Sequence, residues 1–255
     1  ESMLDMFKRY ELDKEDWKKI KKRCDEKKIL FLSTPQNKTD LDLLLNLKIT
    51  AIKVGSDDLT NLPLIKEYSS TGLPLFLSCG MADLSEISTS LNTIGTFDGY
   101  PTVLLHTTSQ YPTPEKDVNL LKLKTLQNTF PNIPVGFSDH TQGPLASSLA
   151  VALGAVIFEK HFTLDNNLLG PDHWFSENPL GLKQWCKNIK KSYTMLGKST
   201  LKPTKDELKM REIARRSIVT LKEVKKGEKF TKSNLGFKRP GTGLSPNFID
   251  NIINL

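Results

Sequence analysis

The sequence between residues 135 and 172 contains three polar motifs: V-G-F-S-D-H-T-Q-G at 135–143, E-K-H-F-T at 159–163 and G-P-D at 170–172. Two apolar runs, Ile133–Phe137 and Ala155–Phe158, each stop just before a histidine-containing cluster. Between them, Pro144–Gly154 has the length, alanine content and small apolar face of a helix packed on a sheet. Strand, helix, strand predicts a parallel pair with a right-handed crossover. His140 and His161 are therefore expected at the same carboxyl edge of the sheet.

Two histidines at one sheet edge, with Asp139, Glu159 and Asp172 nearby, predict a divalent metal site. A single histidine at a strand end is more often a hydrogen-bonded structural residue, but two on adjacent strands favour metal binding. A histidine pair without thiolates fits Mn, Mg, Zn or Fe, with water or substrate completing the coordination shell. The residue types alone do not choose among these metals.

Six apolar runs along the first two hundred residues predict strands that alternate with helices. The predicted strands are Ile29–Ser33, Ala51–Val54, Pro74–Ser78, Thr102–Leu105, Ile133–Phe137 and Ala155–Phe158. Repeated βα units indicate a (β/α)₈ barrel of the TIM type or a doubly wound sheet. No G-x-G-x-x-G or Walker motif follows a predicted strand, which disfavours dinucleotide and P-loop sites.

A closed barrel of this type needs eight strands, and the sequence supplies six predicted ones. The chain also starts at Glu1, inside a helix-like segment. We therefore expect the barrel to lack its first two βα units. On that basis the 255-residue chain is expected to be weakly folded or inactive.

The composition changes twice after the predicted barrel domain at residues 1–197. Residues 198–216 are polar and lysine-rich and predict a linker with one short helix, Lys205–Ala214. Residues 217–255 predict a small β-rich module with turns at Lys226–Gly227 and Pro240–Gly241. This module has too few residues to bury its own core, so it is expected to be cut short.

The chain carries a formal net charge of +7, from 36 Lys+Arg and 29 Asp+Glu. Aromatic residues do not interleave with its surface lysines in the pattern of a nucleic-acid groove, so no nucleic-acid partner is expected. No apolar run approaches the roughly 18 residues of a membrane span, and no signal-peptide pattern opens the chain. Three cysteines without ligand spacing indicate a reducing cytoplasm, and Cys79 is expected to pack in the interior.

Hydroxyl groups and one cation follow the ends of five consecutive predicted strands. They belong to Ser33, Thr34, Lys53, Ser56, Ser78, Thr107, Thr108, Ser109 and Ser138. Several neutral donors around one ammonium are suited to phosphate capture. Each serine or threonine alone is more typical of a turn or a helix cap, but their repetition beside a histidine pair favours a phosphate site.

Motifs along nearly the whole chain resemble, in order, those of the sialic acid synthase family, which includes N-acetylneuraminate, legionaminate and pseudaminate synthases. They are F-L-S-T-P (31–35), I-K-V-G-S (52–56), L-S-C-G-M (77–81), L-L-H-T-T-S-Q-Y-P-T-P (104–114), G-F-S-D-H-T (136–141), E-K-H-F-T (159–163) and G-P-D-H (170–173). K-R-P-G-T-G (238–243) resembles the start of the family's antifreeze-like C-terminal module, the SAF domain.

The resemblance implies a homodimeric barrel enzyme that condenses phosphoenolpyruvate with an N-acylated aldose. The products would be a nine-carbon 2-keto acid and phosphate. It assigns His140 and His161 to a metal, usually Mn²⁺, with Mg²⁺ or Co²⁺ as alternatives. The positions that match phosphoenolpyruvate-binding residues are Thr34, Lys53, Ser56, Ser78, Ser109 and Ser138. The positions implied in catalysis are Asp58, which could direct a water molecule, and Tyr111 and Asp172, which lie near the sugar and metal.

The sequence departs from the family pattern at several positions. The glutamate and lysine of the family's first two strands have no counterpart. Asp57 stands where many members have glycine, which adds a negative charge near the phosphate site. Ser109 stands where sialic acid synthases often have asparagine, which favours the legionaminate or pseudaminate branches. The arginine that the family's antifreeze-like module gives to the partner subunit is not assigned to Arg239.

Three other functions are compatible with parts of the sequence. Another phosphoenolpyruvate-condensing barrel, of the deoxy-octulosonate type, would bind an aldose phosphate and need a second basic cluster beside Lys53. A non-catalytic fragment or paralogue would leave open sheet edges if two strands are missing. An ice- or glycan-binding role for the C-terminal module is disfavoured by its shortness and by the metal motifs.

Overall fold

The computed structural model describes residues 2–239, 242–253 and 255. The chain divides into two compact units, Glu1–Gly197 and Lys198–Leu255. The turn predicted at Pro240–Gly241 lies outside the described residues. No helix in the described ranges is long and apolar enough to cross a membrane.

Five parallel strands form the sheet of the first unit, in the order β1-β2-β3-β4-β5. They are β1 Ile52–Val54, β2 Leu75–Ser78, β3 Thr102–His106, β4 Val135–Asp139 and β5 Phe158–Lys160. Each strand pairs with the next one along the chain. A doubly wound sheet reverses its strand order at a switch point, and this described sheet does not. The order is that of a barrel wall.

The helices alternate with the strands, as predicted. They are α1 Met3–Tyr10, α2 Lys14–Lys27, α3 Lys38–Asn46, α4 Leu62–Ser70, α5 Leu84–Ile94, α6 Lys122–Thr129, α7 Leu145–Ala152, α8 Pro179–Leu196, α9 Lys205–Ala214 and α10 Ile249–Ile252. Asp13 caps α2 by accepting a hydrogen bond from the Asp16 backbone N–H. Asp83 and Glu86 form a capping box at the start of α5.

The prediction of a first strand at Ile29–Ser33 is wrong. These residues have no strand assignment, and Ile29 and Leu30 are largely exposed. The Ser33 carbonyl accepts a single hydrogen bond, from the Lys53 N–H at 3.3 Å. One such bond does not make a ladder, so the segment runs alongside β1 as extended chain.

The last strand of the sheet begins later than its apolar run. The prediction was Ala155–Phe158, and the observed strand is Phe158–Lys160. Ala155 instead closes the end of α7, because its N–H donates to the Ala150 carbonyl at 3.0 Å. Lys160 is therefore a strand residue rather than part of the loop that follows.

The two faces of the sheet differ in burial. Alternate residues facing the helices are fully buried, among them Ile52, Leu75 and Leu104. On the opposite face, Lys53, Phe76, Val103 and Glu159 are only partly buried, and Ser138 is buried. Since successive side chains of a strand point to opposite faces, the side chains of Lys53, Ser138 and Glu159 share the face away from the helices.

The described residues of the second unit form an antiparallel pair of strands, β6 Ser217–Thr220 and β7 Leu235–Lys238, in addition to α9 and α10. Leu235 is the buried hydrophobic residue of this unit among the described residues. The buried Asn234 accepts a hydrogen bond from the Thr231 N–H at 2.7 Å and donates to the Lys229 carbonyl at 3.0 Å. The unit is held by such local bonds around a very small core.

Candidate active site

His140 and His161 lie together at the carboxyl edge of the sheet. Each directly follows a strand, β4 and β5 respectively, and their ring centroids are 5.0 Å apart at an interplanar angle of 84°. The ring of Tyr111 contacts both, with centroid distances of 4.3 Å to His140 and 5.5 Å to His161. Phe175 lies against the His161 ring at 5.2 Å. The histidine pair thus has aromatic neighbours that limit its contact with water.

The surroundings of both imidazoles favour their neutral form. Burial lowers the pKa of His140 and of His161, although nearby carboxylates oppose the shift. Nδ1 of His140 lies 2.8 Å from the Thr108 carbonyl oxygen and therefore donates to it, which leaves Nε2 with its lone pair. Nδ1 of His161 lies 3.5 Å from Oδ2 of Asp172. Each ring has a partner of the kind that orients metal-binding histidines.

The donor set fits a divalent ion held by two protein nitrogens. No group of three His, Cys, Asp or Glu residues able to hold a metal occurs within the described ranges. Two neutral imidazoles without thiolates suit Mn²⁺, Zn²⁺ or Fe²⁺, and the remaining positions fall to water or substrate. The residues present therefore suit a site that keeps open positions for a ligand.

Lys53 is the centre of a second cluster, on the same face of the sheet. Its Nζ donates to Ser78 Oγ at 2.8 Å and lies 3.6 Å from Glu159 Oε2. Ser138 Oγ donates to Glu159 Oε1 at 2.6 Å. A cavity of about 540 Å³ is lined by Lys53, Glu159 and Thr34, with other residues. Three further residues predicted to bind phosphoenolpyruvate, Thr34, Ser78 and Ser138, therefore lie in the same cluster as Lys53.

Ser56 and Ser109 converge on Gly80 in the loop after β2. The Gly80 N–H donates to Ser56 Oγ at 3.0 Å. A Cβ atom placed on Gly80 would collide with the hydroxyls of Ser56 and Ser109. Ser109 Oγ is buried and has no hydrogen-bond partner among the described residues. Because an unsatisfied buried hydroxyl costs about 1–3 kcal/mol, this orphan points to an oxygen supplied by a ligand.

Tyr111 and Asp58, two of the residues predicted to act in catalysis, have different surroundings. Burial, followed by the charges of Asp172, Asp57 and Glu159, raises the pKa of Tyr111, so its phenol stays protonated. Asp58 Oδ1 accepts a hydrogen bond from Asn61 Nδ2 at 3.0 Å near the start of α4. No described hydrogen bond or ion pair joins Asp58 to the histidines or Lys53, and its catalytic role stays a prediction.

The sequence predicts only that Glu159 lies near the histidine pair and indicates no role for it. Its place between Lys53 and Ser138 follows from strand register, because Ser138 and Glu159 are partners across β4 and β5. The alternation of side chains along each strand indicates this grouping, because residues 53, 138 and 159 all face away from the helices. A parallel register read from the sequence could have found it.

Cys79 is expected to resist thiol reagents in the folded protein, whereas Cys186 reacts. Cys79 is buried and desolvation raises the pKa of its thiol to about 12, so little nucleophilic thiolate forms at neutral pH. Cys186 is exposed on α8. Alkylation with iodoacetamide followed by mass spectrometry would check this, with urea-unfolded protein as the fully labelled control. Labelling of Cys79 as fast as Cys186 in native buffer would contradict the burial.

Comparisons with known proteins give a consistent result for both units. A model described as the NeuB family matches residues 1–201, and a model described as the SAF domain matches residues 215–255. An N,N'-diacetyllegionaminic acid synthase of Legionella pneumophila is 39% identical, over 98% of this chain and 71% of its own length. The enzyme of the same name from Campylobacter jejuni is 41% identical, over 96% of this chain and 74% of its own length.

A solved structure is similar as well. It is the N-acetylneuraminic acid (sialic acid) synthetase of Leptospira borgpetersenii, determined in complex with citrate. It superposes with a TM-score of 0.76 at 34% identity and covers 82% of this chain and 72% of its own. Sequence and fold therefore match the same group of proteins.

Proposed function

The chain belongs to the NeuB family, and from this premise we propose that it is a nonulosonic acid synthase. It condenses phosphoenolpyruvate with an N-acylated aldose to give a nine-carbon 2-keto acid and phosphate. The observation that carries the proposal is the presence, on one face of one sheet edge, of a neutral histidine pair and of a lysine that bonds to Ser78 and lies next to Glu159 and Ser138. One cluster suits a metal and a carbonyl, and the other suits a phosphate.

The Lys53 cluster holds phosphoenolpyruvate in this scheme. Lys53 Nζ, already bonded to Ser78, meets the phosphate as a point charge. The hydroxyls of Thr34, Ser138 and Ser56 supply neutral donors, and Ser109 gains the partner that it lacks. A substrate fixed in this way presents one face of its enol carbon to the aldose, which lowers the entropic part of the barrier.

The histidine pair serves the second substrate. His140 and His161 would hold a divalent ion, with Mn²⁺ first and Mg²⁺ or Co²⁺ as alternatives, which supplies Lewis acidity toward the aldose carbonyl. Tyr111, with its phenol protonated, lies over both imidazoles and can donate to a sugar oxygen. Asp172 orients His161.

The bond changes balance without an added co-reactant. The methylene carbon of phosphoenolpyruvate bonds to the aldose carbonyl carbon, and water adds at the neighbouring, phosphate-bearing carbon. The C–O bond from that carbon to phosphate then breaks, and the oxygen of the water becomes the keto oxygen. Of the two water protons, one goes to the former aldose carbonyl oxygen and the other to the departing phosphate. Asp58 was assigned to direct this water, and Glu159, bonded to Ser138 and next to Lys53, lies in a position to do so as well.

The proposal also covers the fold, the oligomeric state and the cellular compartment of the protein. The sequential, parallel strand order and the polar face opposite the helices support a barrel of the (β/α)₈ type, in which the five described strands form part of the wall and the site lies at the mouth. The working form is proposed to be a homodimer in a reducing cytoplasm, and the three free cysteines support the latter. Sedimentation of the purified protein tests the dimer.

The reaction is tested by phosphate release from phosphoenolpyruvate in the presence of Mn²⁺ and a panel of sugars. N-acetylmannosamine and 2,4-diacetamido-trideoxyhexoses should support release, with a nine-carbon keto acid detected by mass spectrometry. Two close relatives are named as diacetyllegionaminic acid synthases, so a diacetamido sugar is expected to be the better substrate. Arabinose 5-phosphate is the control, and turnover with it alone would contradict the proposal in favour of a deoxy-octulosonate type of synthase.

A further inference from the structure

A buried ion pair joins the two strand ends that carry the histidines. Asp139 is the last residue of β4 and Lys160 is the last residue of β5, and the two are register partners. Lys160 Nζ lies 3.2 Å from Asp139 Oδ2, and the two side chains are 2% and 0% exposed. Each member of the pair immediately precedes one of the histidines. The pair therefore links the two strands at the point where the site begins.

Both charged groups also bind the loop on the far side of His140. Lys160 Nζ donates to the carbonyl of Thr141 and lies 3.4 Å from that of Gly143. Asp139 Oδ1 accepts from the Thr141 N–H at 2.9 Å and from its hydroxyl at 2.7 Å. The backbone before and after His140 is thus held to the strand that leads into His161.

The network continues into the helix layer behind the sheet. Ser147 Oγ, on α7, donates to Asp139 Oδ2 at 2.6 Å. Trp185 Nε1, on α8, donates in turn to Ser147 Oγ at 2.9 Å. The pair is anchored to two helices as well as to two strands, so it links the two histidine-bearing strand ends to each other and to the helix layer.

Stability alone is a poor explanation for such a pair. Removing two charges from water costs several kcal/mol for each, and well-packed apolar residues often replace a buried ion pair without loss of stability. The pair's hydrogen bonds instead hold the backbone on both sides of His140, and the histidine rings lie on the opposite side of the strand ends. This arrangement is suited to a pair that keeps the two strand ends, and with them His140 and His161, in a fixed geometry.

We propose that Asp139 and Lys160 are positioning residues that set the separation and orientation of His140 and His161. The idea rests on the proposed function, because the two imidazoles matter as a pair when they hold one ion. Partners that orient metal-binding histidines typically change metal affinity or activity about 10–100-fold when they are altered. The same range is expected for this pair.

The main test is the double variant Asp139→Asn, Lys160→Met, which removes both charges and keeps the side-chain volumes and an acceptor for Thr141. Mn²⁺ affinity is measured by electron paramagnetic resonance titration, phosphoenolpyruvate affinity by calorimetry, and folding by thermal melts. The Kd for Mn²⁺ should rise about 10–100-fold while that for phosphoenolpyruvate stays near its original value. Trp185→Phe is the matched control, because it removes a bond at the outer end of the network and leaves the pair intact. It should lower stability without changing the Kd for Mn²⁺.

A folded double variant with an unchanged Kd for Mn²⁺ overturns the proposal. If the double variant does not fold, Asp139→Asn alone serves, since it keeps one acceptor oxygen for Thr141 and removes one charge; there too, an unchanged Kd overturns the proposal. Imidazole ¹H–¹⁵N spectra of metal-free protein provide a second readout, in which the signals of His140 and His161 should shift in the variant. If the parent protein binds no Mn²⁺, the metal part of the proposed function fails, and unshifted imidazole signals then overturn the positioning role separately.

Discussion

Changing either His140 or His161 to alanine is expected to abolish stoichiometric Mn²⁺ binding and turnover. The two imidazoles lie together at the sheet edge, and if they hold the ion as proposed, one alone leaves too few protein donors for a stable site. Phosphoenolpyruvate should still bind, because the cluster proposed to hold its phosphate, Lys53 with Ser78, lies on other strands. Metal content and calorimetric titration of phosphoenolpyruvate, measured on the same samples, check both parts.

His106→Gln is the matched control for the histidine variants. His106 is also buried, but its Nε2 bonds to the Val118 carbonyl at 2.8 Å and its ring stacks on Phe137, on the helix side of the sheet. This control should melt at a lower temperature and keep its Mn²⁺. A variant at position 140 or 161 that retained stoichiometric Mn²⁺ and normal turnover would leave the metal hypothesis without support.

Replacing Lys53 with alanine should raise the KM for phosphoenolpyruvate far more than the KM for the sugar. Losing a hydrogen bond to a charged group costs roughly 1.5–3 kcal/mol. Since each 1.4 kcal/mol is about tenfold in affinity, the expected rise is roughly 10- to 150-fold. Initial rates measured with each substrate varied in turn provide the comparison.

Lys66→Ala controls for the loss of one positive charge, because Lys66 is exposed on α4. It should leave both KM values unchanged. The side chain of Lys53 also faces Glu159, so Lys53→Ala is combined with Glu159→Gln to remove the unpaired carboxylate. Equal effects of Lys53→Ala on both substrates would show that Lys53 has a structural role instead.

The sequence was sufficient to place the histidine pair at one sheet edge, because a strand–helix–strand repeat brings successive strand ends together. It was insufficient for the Ile29–Ser33 segment, where an apolar run typical of a strand forms only one backbone bond with β1. Whether such a run joins a ladder depends on neighbours far away in the chain. Local composition does not contain that information.

The Asp139–Lys160 pair illustrates a second limit. Both residues are visible beside the histidines in the sequence, yet their pairing depends on the register between β4 and β5. The predicted end of β5 at Phe158 would have left Lys160 in a loop. The strand starts later because Ala155 completes the last turn of α7, a tertiary detail that the apolar pattern does not encode.

The unequal faces of the sheet have a consequence for how proteins of this kind diversify. Fold-maintaining residues such as Ile52 and Leu75 alternate with residues such as Lys53 and Phe76, which face the other way and are less buried. Mutations at the second set are expected to change the polar face of the sheet while the residues packed against the helices stay intact. A directed-evolution library confined to those alternate positions would therefore explore new substrates at a low cost in folded protein.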